Sequence, residues 1–334
     1  MNPIWVWILK AVLIYGGVLT LAAGMTLAER KVAAWIQWRI GPNRVGPWGT
    51  LQPLADGLKF IFKEELVPEG ANPVLFRLAP MLAAAPAMLA MAVIPFAGEI
   101  TLFGVRTTLS IADIPISALY VVAIGGMGVY GVILGGWSSN SKYSLLGGLR
   151  ASAQMVSYEL SLILAMLSVV VLAGSLDLRA IVADQSGSLL QWNVGRQPLA
   201  FLIFVVATFA ETNRHPFDFA ECEPELVGGF HTEYSSMKFA LFFLGEDCAM
   251  IVMASMTATL FLGGPEVPYW PEAPWFAQLF AFLVKTGFFL FLFLWVRWTL
   301  PRFRFDQLMH LGWKVMLPLA LANVFVTGMV VSLT

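Results

Sequence analysis

The chain has 334 residues, of which 58% are apolar and only 12% are charged, against about 25% charged residues in soluble proteins. This composition excludes a water-soluble globular domain, and the net charge of −1 gives no reason to expect nucleic acid binding, which requires a basic face. The apolar residues form separate blocks of about 20 residues, the length at which a helix crosses a bilayer core. Cys222 and Cys248 lack the spacing of a metal site, so neither a disulfide framework nor a bound metal is expected.

The hydropathy pattern predicts an all-α polytopic membrane protein, a single membrane domain over residues 1–334 with eight transmembrane helices. In chain order, the eight apolar blocks are 5–28, 74–96, 116–137, 153–176, 198–210, 239–262, 275–298 and 313–333. The fifth block is short, because it makes about 20 Å of helix against a hydrocarbon core of about 30 Å. We expect it to end inside the protein or in a polar cavity, as short membrane segments do near binding sites.

Lys and Arg residues are concentrated on one side of these predicted helices. Fifteen of the 20 fall within or directly beside the loops 29–73, 138–152, 211–238 and 297–314. Positive charge marks cytoplasmic loops. We therefore expect the first loop (29–73) and the acidic loop (211–238) to be cytoplasmic and both termini to be periplasmic.

A cluster of Gly and Pro residues at 41–49 indicates turns in the first cytoplasmic loop. Behind it, apolar residues recur at helical spacing over 51–62, with Asp56, Lys59 and Lys63 on the opposite face. This pattern predicts a short amphipathic helix that lies on the membrane surface or against a partner.

The acidic loop concentrates six carboxylates around a single arginine. They are Glu211, Asp218, Glu221, Glu223, Glu225 and Glu233, and the arginine is Arg214. Carboxylates this close repel one another, so we expect raised pKa values and proton binding near neutrality for some of them. A solvated acidic face is the alternative, but Phe217, Phe219, Phe230 and Tyr234 favour an ordered loop, since large aromatic side chains gain from burial.

Three acids and one lysine fall deep inside the apolar blocks, and Lys10 lies nearer the outer end of the first block. Glu159 lies in the fourth block, Glu246 and Asp247 lie in the sixth, and Lys285 lies near the middle of the seventh. An ionised side chain at the centre of a membrane helix costs about 2.5–3.5 kcal/mol, so these residues are candidates for proton transfer. The alternatives are a protonated or ion-paired structural acid, a proton shared between Glu246 and Asp247, and a Lys285 that only pairs with one of the acids.

The sequence contains no complete catalytic centre. His215, His231 and His310 share no metal-ligand spacing with other His, Cys or acidic residues. There is also no phosphate-binding loop and no nucleophile beside a base. What remains is an acid-lined path from the cytoplasmic side into the membrane, beneath loops suited to hold a partner.

Seven sequence motifs resemble one known family over nearly the whole chain. They are ERK at 29–31, QWRIGPNRVGP at 37–47, LQPLADG at 51–57, WSSNSKY at 137–143, AETNRHPFDF at 210–219, ELVGGF at 225–230 and LPRFRFDQLM at 300–309. In this order they are similar to the H subunit of bacterial respiratory complex I, the proton-pumping NADH:quinone oxidoreductase, whose mitochondrial counterpart is NADH dehydrogenase subunit 1. Two positions depart from the family: Cys222 replaces a common Gly or Ala, and Asp247 replaces a common Tyr.

The resemblance implies a membrane subunit beneath the hydrophilic arm, whose loops wall the chamber where quinone is reduced. The candidate residues of the quinone chamber are Arg30, Arg39, Asp56, Arg214, Asp218, Arg302 and Arg304. The candidates for coupling to proton channels are Glu159, Glu211, Glu221, Glu223, Glu225, Glu246, Asp247 and Lys285. Arg30 and Arg39 either orient the quinone carbonyls or hold the acidic loop closed, and the quinone tail is expected to enter between the first helix and segment 51–62.

The resemblance also implies partners, cofactors and location. Quinone is the substrate, the chain alone binds no cofactor, and FMN and iron–sulfur clusters belong to partner subunits. The expected partners are the quinone-site and iron–sulfur subunits of the hydrophilic arm, the neighbouring membrane-arm subunits and membrane lipid, in the bacterial inner membrane. Two alternatives stay open from the sequence: the homologous membrane subunit of an energy-converting hydrogenase, and a free-standing ion transporter, which would show paired inverted repeats.

Overall fold

A computed structural model describes the chain apart from residues 1–2, 103, 222, 271 and 334. The first seven helices are α1 (Pro3–Ile36), α2 (Gln52–Phe62), α3 (Pro73–Ala90), α4 (Ser117–Gly126), α5 (Gly128–Ser138), α6 (Lys142–Ala173) and α7 (Leu178–Asp184). They are followed by α8 (Asn193–Arg196), α9 (Pro198–Glu211), α10 (Glu223–Leu226), α11 (Ser236–Phe261), α12 (Trp275–Thr299), α13 (Phe305–His310) and α14 (Leu317–Leu333). A π-helical turn, Leu311–Met316, joins α13 to α14.

Seven helical segments of the described chain are long and apolar enough to cross a membrane. They are Ile4–Ile36, Pro73–Val93, Ser117–Ser138, Lys142–Ala173, Ser236–Phe261, Trp275–Thr299 and Phe305–Leu333. The predicted fifth block forms α9, a shorter apolar helix of 14 residues. The prediction of a mainly helical polytopic membrane protein is therefore confirmed. The number of eight crossings stays a prediction, because it requires the short helix α9 to cross the membrane as well.

Several helices extend beyond the predicted apolar blocks. α1 continues to Ile36, past the charged residues Glu29, Arg30 and Lys31, and α6 begins at Lys142 rather than at residue 153. Glu, Arg and Lys are good helix formers. Hydropathy therefore marks the part of a helix that lies in lipid and misses the part that continues into the cytoplasmic layer.

A small β-hairpin lies in the loop between α3 and α4, and the prediction of purely helical structure missed it. Strand β1 (Glu99–Leu102) pairs antiparallel with β2 (Val105–Thr108), with Glu99 opposite Thr108. The buried Lys10 of α1 anchors this hairpin, because its Nζ donates to Thr107 Oγ1 at 2.8 Å and to Ser110 O at 2.9 Å.

The helix α11 occupies the centre of the bundle. It packs against α3 on one side and against α12 and α1 on others, while α6 packs against α5, α9 and α14. Gly131 lets α5 approach α3 closely, since a Cβ at Gly131 would lie 2.4 Å from the backbone N of Ala83. The central position of α11 brings its two acids, Glu246 and Asp247, within reach of the loop that follows α9.

Candidate functional site

The acidic loop is folded into the protein rather than spread on its surface. Phe217, Phe219, Phe230 and Tyr234 are all buried. The ring of Tyr234 stacks on that of Phe76 with centroids 4.0 Å apart. The prediction of an ordered loop is confirmed, and the alternative of a solvated acidic face is wrong for this segment.

Glycines allow this loop to pack closely against α6. Gly229 has a φ of +65°, and a Cβ there would lie 1.6 Å from the carbonyl oxygen of Ala220. On α6, a Cβ at Gly147 would lie 2.6 Å from the backbone N of Phe230. No other residue type fits at either position without moving the backbone, so the loop is held at a fixed distance from α6.

Arg214 is the centre of a buried charge cluster. Its Nη2 lies 2.7 Å from Asp247 Oδ1 and 3.9 Å from Glu246 Oε2, and its Nη1 lies 3.6 Å from Glu29 Oε2. Glu29 also pairs with Arg297 of α12. Burial opposes the charge on Arg214, but the carboxylates of Glu246, Asp247 and Glu29 outweigh it and raise the pKa of the guanidinium above its usual value.

This cluster gives Asp247 a partner that the sequence did not indicate. Its carboxylate pairs with Arg214, and Glu246 approaches the same Arg214 nitrogen at a longer distance. The two acids therefore share a cation in this structure. Because three carboxylates face Arg214 and Arg297, the cluster holds one excess negative charge when every member is ionised.

A second set of ion pairs joins the acidic loop to the loop before α13. Asp218 Oδ2 accepts from Arg302 Nη2 at 2.8 Å and lies 3.1 Å from His215 Nε2. Burial raises the pKa of Asp218, but the hydrogen bond from His215 and the charge of Arg302 outweigh it and hold that pKa below its usual value. Crowding is expected to raise the pKa of some carboxyl groups in this loop, and Asp218 is not one of them.

Glu221 and Glu225 lie nearer the surface of the loop. Glu221 Oε1 lies 3.2 Å from Nε2 of the buried His231, and the exposed Glu225 pairs with Arg150 at 2.5 Å. The side chain of Glu223 and all of Cys222 lie outside the described residues. The contact of Glu221 therefore lies within the loop, whereas Glu225 joins the loop to α6.

The arginines predicted for the quinone chamber do not form one cluster: some are ion-paired between helices and others are exposed. Arg30 of α1 pairs with Asp56 of α2 at 2.7 Å, which holds the amphipathic helix against the end of α1. Arg39 is exposed and donates to Gln37 at 2.7 Å, and Arg304 is 80% exposed beside its neighbour Asp306. Neither Arg30 nor Arg39 has an ion pair with the acidic loop among the described residues. The ion pairs that reach this loop include those of Glu29, Arg302 and Arg150.

Two cavities lie between α11 and α6, and the membrane acids line them. The first, of about 80 Å³, is lined by residues that include Glu246 and Glu211. The second, of about 20 Å³, is lined by residues that include Glu211 and Glu159. Glu211 belongs to both, and its Oε2 is buried with no hydrogen-bond partner in the described part of the chain. The three acids thus lie along one succession of cavities.

Lys285 does not belong to this succession. Its Nζ donates to the backbone oxygens of Leu262, Gly264 and Glu266 at 2.7–2.8 Å, where it satisfies carbonyl groups at the end of α11. Leu262 lies 16 residues beyond Glu246, or about 24 Å along a helix. The suggestion that Lys285 pairs with one of the membrane acids is therefore wrong.

Sequence reasoning missed two members of the charge cluster, Glu29 and Arg297. Both lie at the ends of apolar blocks, where a charged residue is ordinarily taken as the edge of a membrane helix. A usable signal was present, because the buried acids in α11 require cations, and Arg297 lies in the last turn of α12, which packs on α11.

The sequence is similar to one protein family throughout its length. The profile of the NADH dehydrogenase family matches residues 9–328. One of the H subunits of NADH-quinone oxidoreductase from Geobacter metallireducens is 53% identical over 324 residues, which cover 97% of this chain and 96% of that protein. The H subunit of the same enzyme from Thermomicrobium roseum is 50% identical over 319 residues, covering 93% and 92%. An H subunit from Cytophaga hutchinsonii is 48% identical over 317 residues, with the same coverage.

Proposed function

Because the chain belongs to the family of the NADH-quinone oxidoreductase H subunit, a membrane component of respiratory complex I, we propose that it forms much of the quinone chamber and links quinone reduction to proton translocation. The observation that carries this proposal is the succession of cavities that joins Glu246, Glu211 and Glu159. The relatives favour this function over that of a hydrogenase component or a free-standing transporter.

Proton transfer along these cavities needs carboxylates and water. A cavity with several polar partners can hold ordered water, and proton transfer requires groups within hydrogen-bond distance or one water apart. Glu211 is suited to relay a proton between the two cavities, because it lines both and one of its oxygens is free to form a new hydrogen bond.

The proposed quinone entrance lies where α1 meets α2. The ion pair of Arg30 with Asp56 joins these helices. Leu54, Leu58 and Ile61 of α2 are exposed, so they offer an apolar face to lipid or to an isoprenoid tail. The head group would then lie towards the acidic loop, near Asp218 and its partner Arg302, whose guanidinium can donate to the carbonyl oxygens of the quinone.

The proposal extends to partners and orientation. FMN and iron–sulfur clusters in subunits of the hydrophilic arm would deliver electrons to the quinone, and neighbouring membrane-arm subunits would receive the coupled protons. The loops rich in Lys and Arg would face the cytoplasm, and both termini would then be periplasmic.

The test replaces Glu159 and Glu246 separately with Gln in the assembled complex, because Gln keeps the shape and removes the charge. We expect normal assembly and a lower ratio of translocated protons to oxidised NADH. Electron transfer to a water-soluble acceptor should stay normal, since it occurs upstream in the hydrophilic arm.

Glu233→Gln is the matched control, because this loop acid lines neither cavity, and it should pump normally. If both Glu159→Gln and Glu246→Gln pumped at the parent ratio, the acids would be structural and the proposed coupling path would be wrong.

A further inference from the structure

A break in the third spanning segment lies directly beside Glu159. The helices α4 and α5 meet at Met127, where Met127 N donates to Ile124 O at 3.1 Å and Tyr130 N donates to Met127 O at 3.2 Å. Bonds between residues three apart tighten a helix locally, and such segments often mark functional positions. Gly126 and Gly128 flank Met127 on either side of this break.

Gly126 is in contact with the carboxylate of Glu159. A Cβ built at Gly126 would lie 2.5 Å from Glu159 Oε1 and 3.3 Å from its Cδ. No real Cβ approaches an oxygen so closely, so any larger residue at this position displaces the carboxylate. By contrast, a Cβ at Gly128 would meet no atom within 4 Å.

The position of the Glu159 carboxylate depends on the space beside Gly126. Among the residues that the structure describes, no group forms a hydrogen bond or an ion pair with its side chain. Gly126, Glu159 and Glu211 line the same cavity. With no polar partner to hold it, the carboxylate is placed by packing, and the missing side chain of Gly126 is what leaves room for it.

We propose that Gly126 is a positioning residue for proton transfer, and that its lack of a side chain holds the Glu159 carboxylate on the wall of the cavity it shares with Glu211. This inference depends on the proposed coupling function, since it assigns Glu159 the end of that path. Proton transfer tolerates little displacement, because a misplacement of about 1 Å can cost on the order of 100-fold in rate.

The test is Gly126→Ala in the assembled complex, with Gly128→Ala as the control. Gly126→Ala should fold, because Ala is a better helix former than Gly and the clash falls on the mobile end of a side chain. We expect proton translocation coupled to quinone reduction to fall about tenfold or more. Assembly and electron transfer to a water-soluble acceptor should be retained in both variants, and Gly128→Ala should keep its coupling.

A double variant separates positioning from a packing defect. If Gly126 acts only through Glu159, then Gly126→Ala combined with Glu159→Gln should pump no worse than Glu159→Gln alone. A further loss in the double variant, or equal coupling in Gly126→Ala and Gly128→Ala, would overturn the inference. Normal pumping by Glu159→Gln alone would also overturn the inference, whereas normal pumping by both Glu159→Gln and Glu246→Gln would contradict the proposed function itself.

Discussion

Replacing Arg214 with Met tests whether the buried charge cluster holds the acidic loop in place. The guanidinium lies 2.7 Å from Asp247 and within 4 Å of Glu29 and Glu246. Arg297 can compensate for one carboxylate, because it pairs with Glu29. The substitution therefore leaves Glu246 and Asp247 without a cation and raises the excess negative charge of the cluster from one to two.

The expected cost follows from the burial of this pair. Removing one partner of a buried ion pair typically lowers the free energy of unfolding by about 3–5 kcal/mol, because an uncompensated charge is left behind. Proton uptake by an orphaned carboxyl group limits the loss, and this relief grows by at most about 1.4 kcal/mol per pH unit for each proton as the pH falls. The destabilisation should therefore be smaller at pH 6 than at pH 8.

The assay is the rate of thermal inactivation of quinone reduction in membranes that contain the assembled complex, measured at both pH values. Arg214→Met should inactivate faster than the parent, and the difference should shrink at pH 6. The double variant Arg214→Met with Asp247→Asn restores one excess negative charge and should recover much of the stability. Equal inactivation rates for Arg214→Met and the parent at pH 8 would refute the assignment of Arg214 as the cation of this cluster.

Two other predictions concern topology and the quinone path. In a cysteine-free background, Leu190→Cys should react with impermeant thiol reagents from outside intact cells, whereas Ser141→Cys should react only after the membrane is opened; labelling of Ser141→Cys in intact cells would reverse the orientation. Ala55→Trp adds bulk to the apolar face of α2 and should reduce quinone-dependent activity severalfold while sparing a water-soluble acceptor. Unchanged quinone turnover in Ala55→Trp would place the entrance elsewhere.

Local patterns were sufficient to predict the features of this fold that depend on burial. The apolar blocks located the long helices and identified α9 as unusually short, and the spacing over 51–62 predicted α2 to within one residue. The aromatic residues of the acidic loop predicted that it is ordered. In each case the information lies within about 20 neighbouring residues, which is the range over which hydropathy and helical periodicity act.

Pairing between distant segments could not be predicted in the same way. Arg214 bridges α1 and α11, and Glu159 of α6 contacts Gly126 of α4. Both contacts are fixed by how the helices pack. The periodicity of one helix shows which face is buried, but it does not show which helix packs against that face. Lys285 shows the same limit, because its position in the middle of an apolar block suggested an acidic partner, while its real partners are backbone carbonyls.

Because α9 ends early, the turn that follows it connects the two cavities to the charge cluster. Glu211 ends the helix and lines both cavities, and Arg214 follows three residues later, with its Nη2 3.9 Å from Glu246 Oε2. At an effective dielectric constant of about 20, moving the guanidinium about 2 Å farther from Glu246 weakens their attraction by about 1.5 kcal/mol. That change corresponds to about a tenfold difference in proton affinity. Under the proposed function, a quinone that displaces the acidic loop would thereby change the proton affinity of an acid on the path, without any contact between the quinone and that acid.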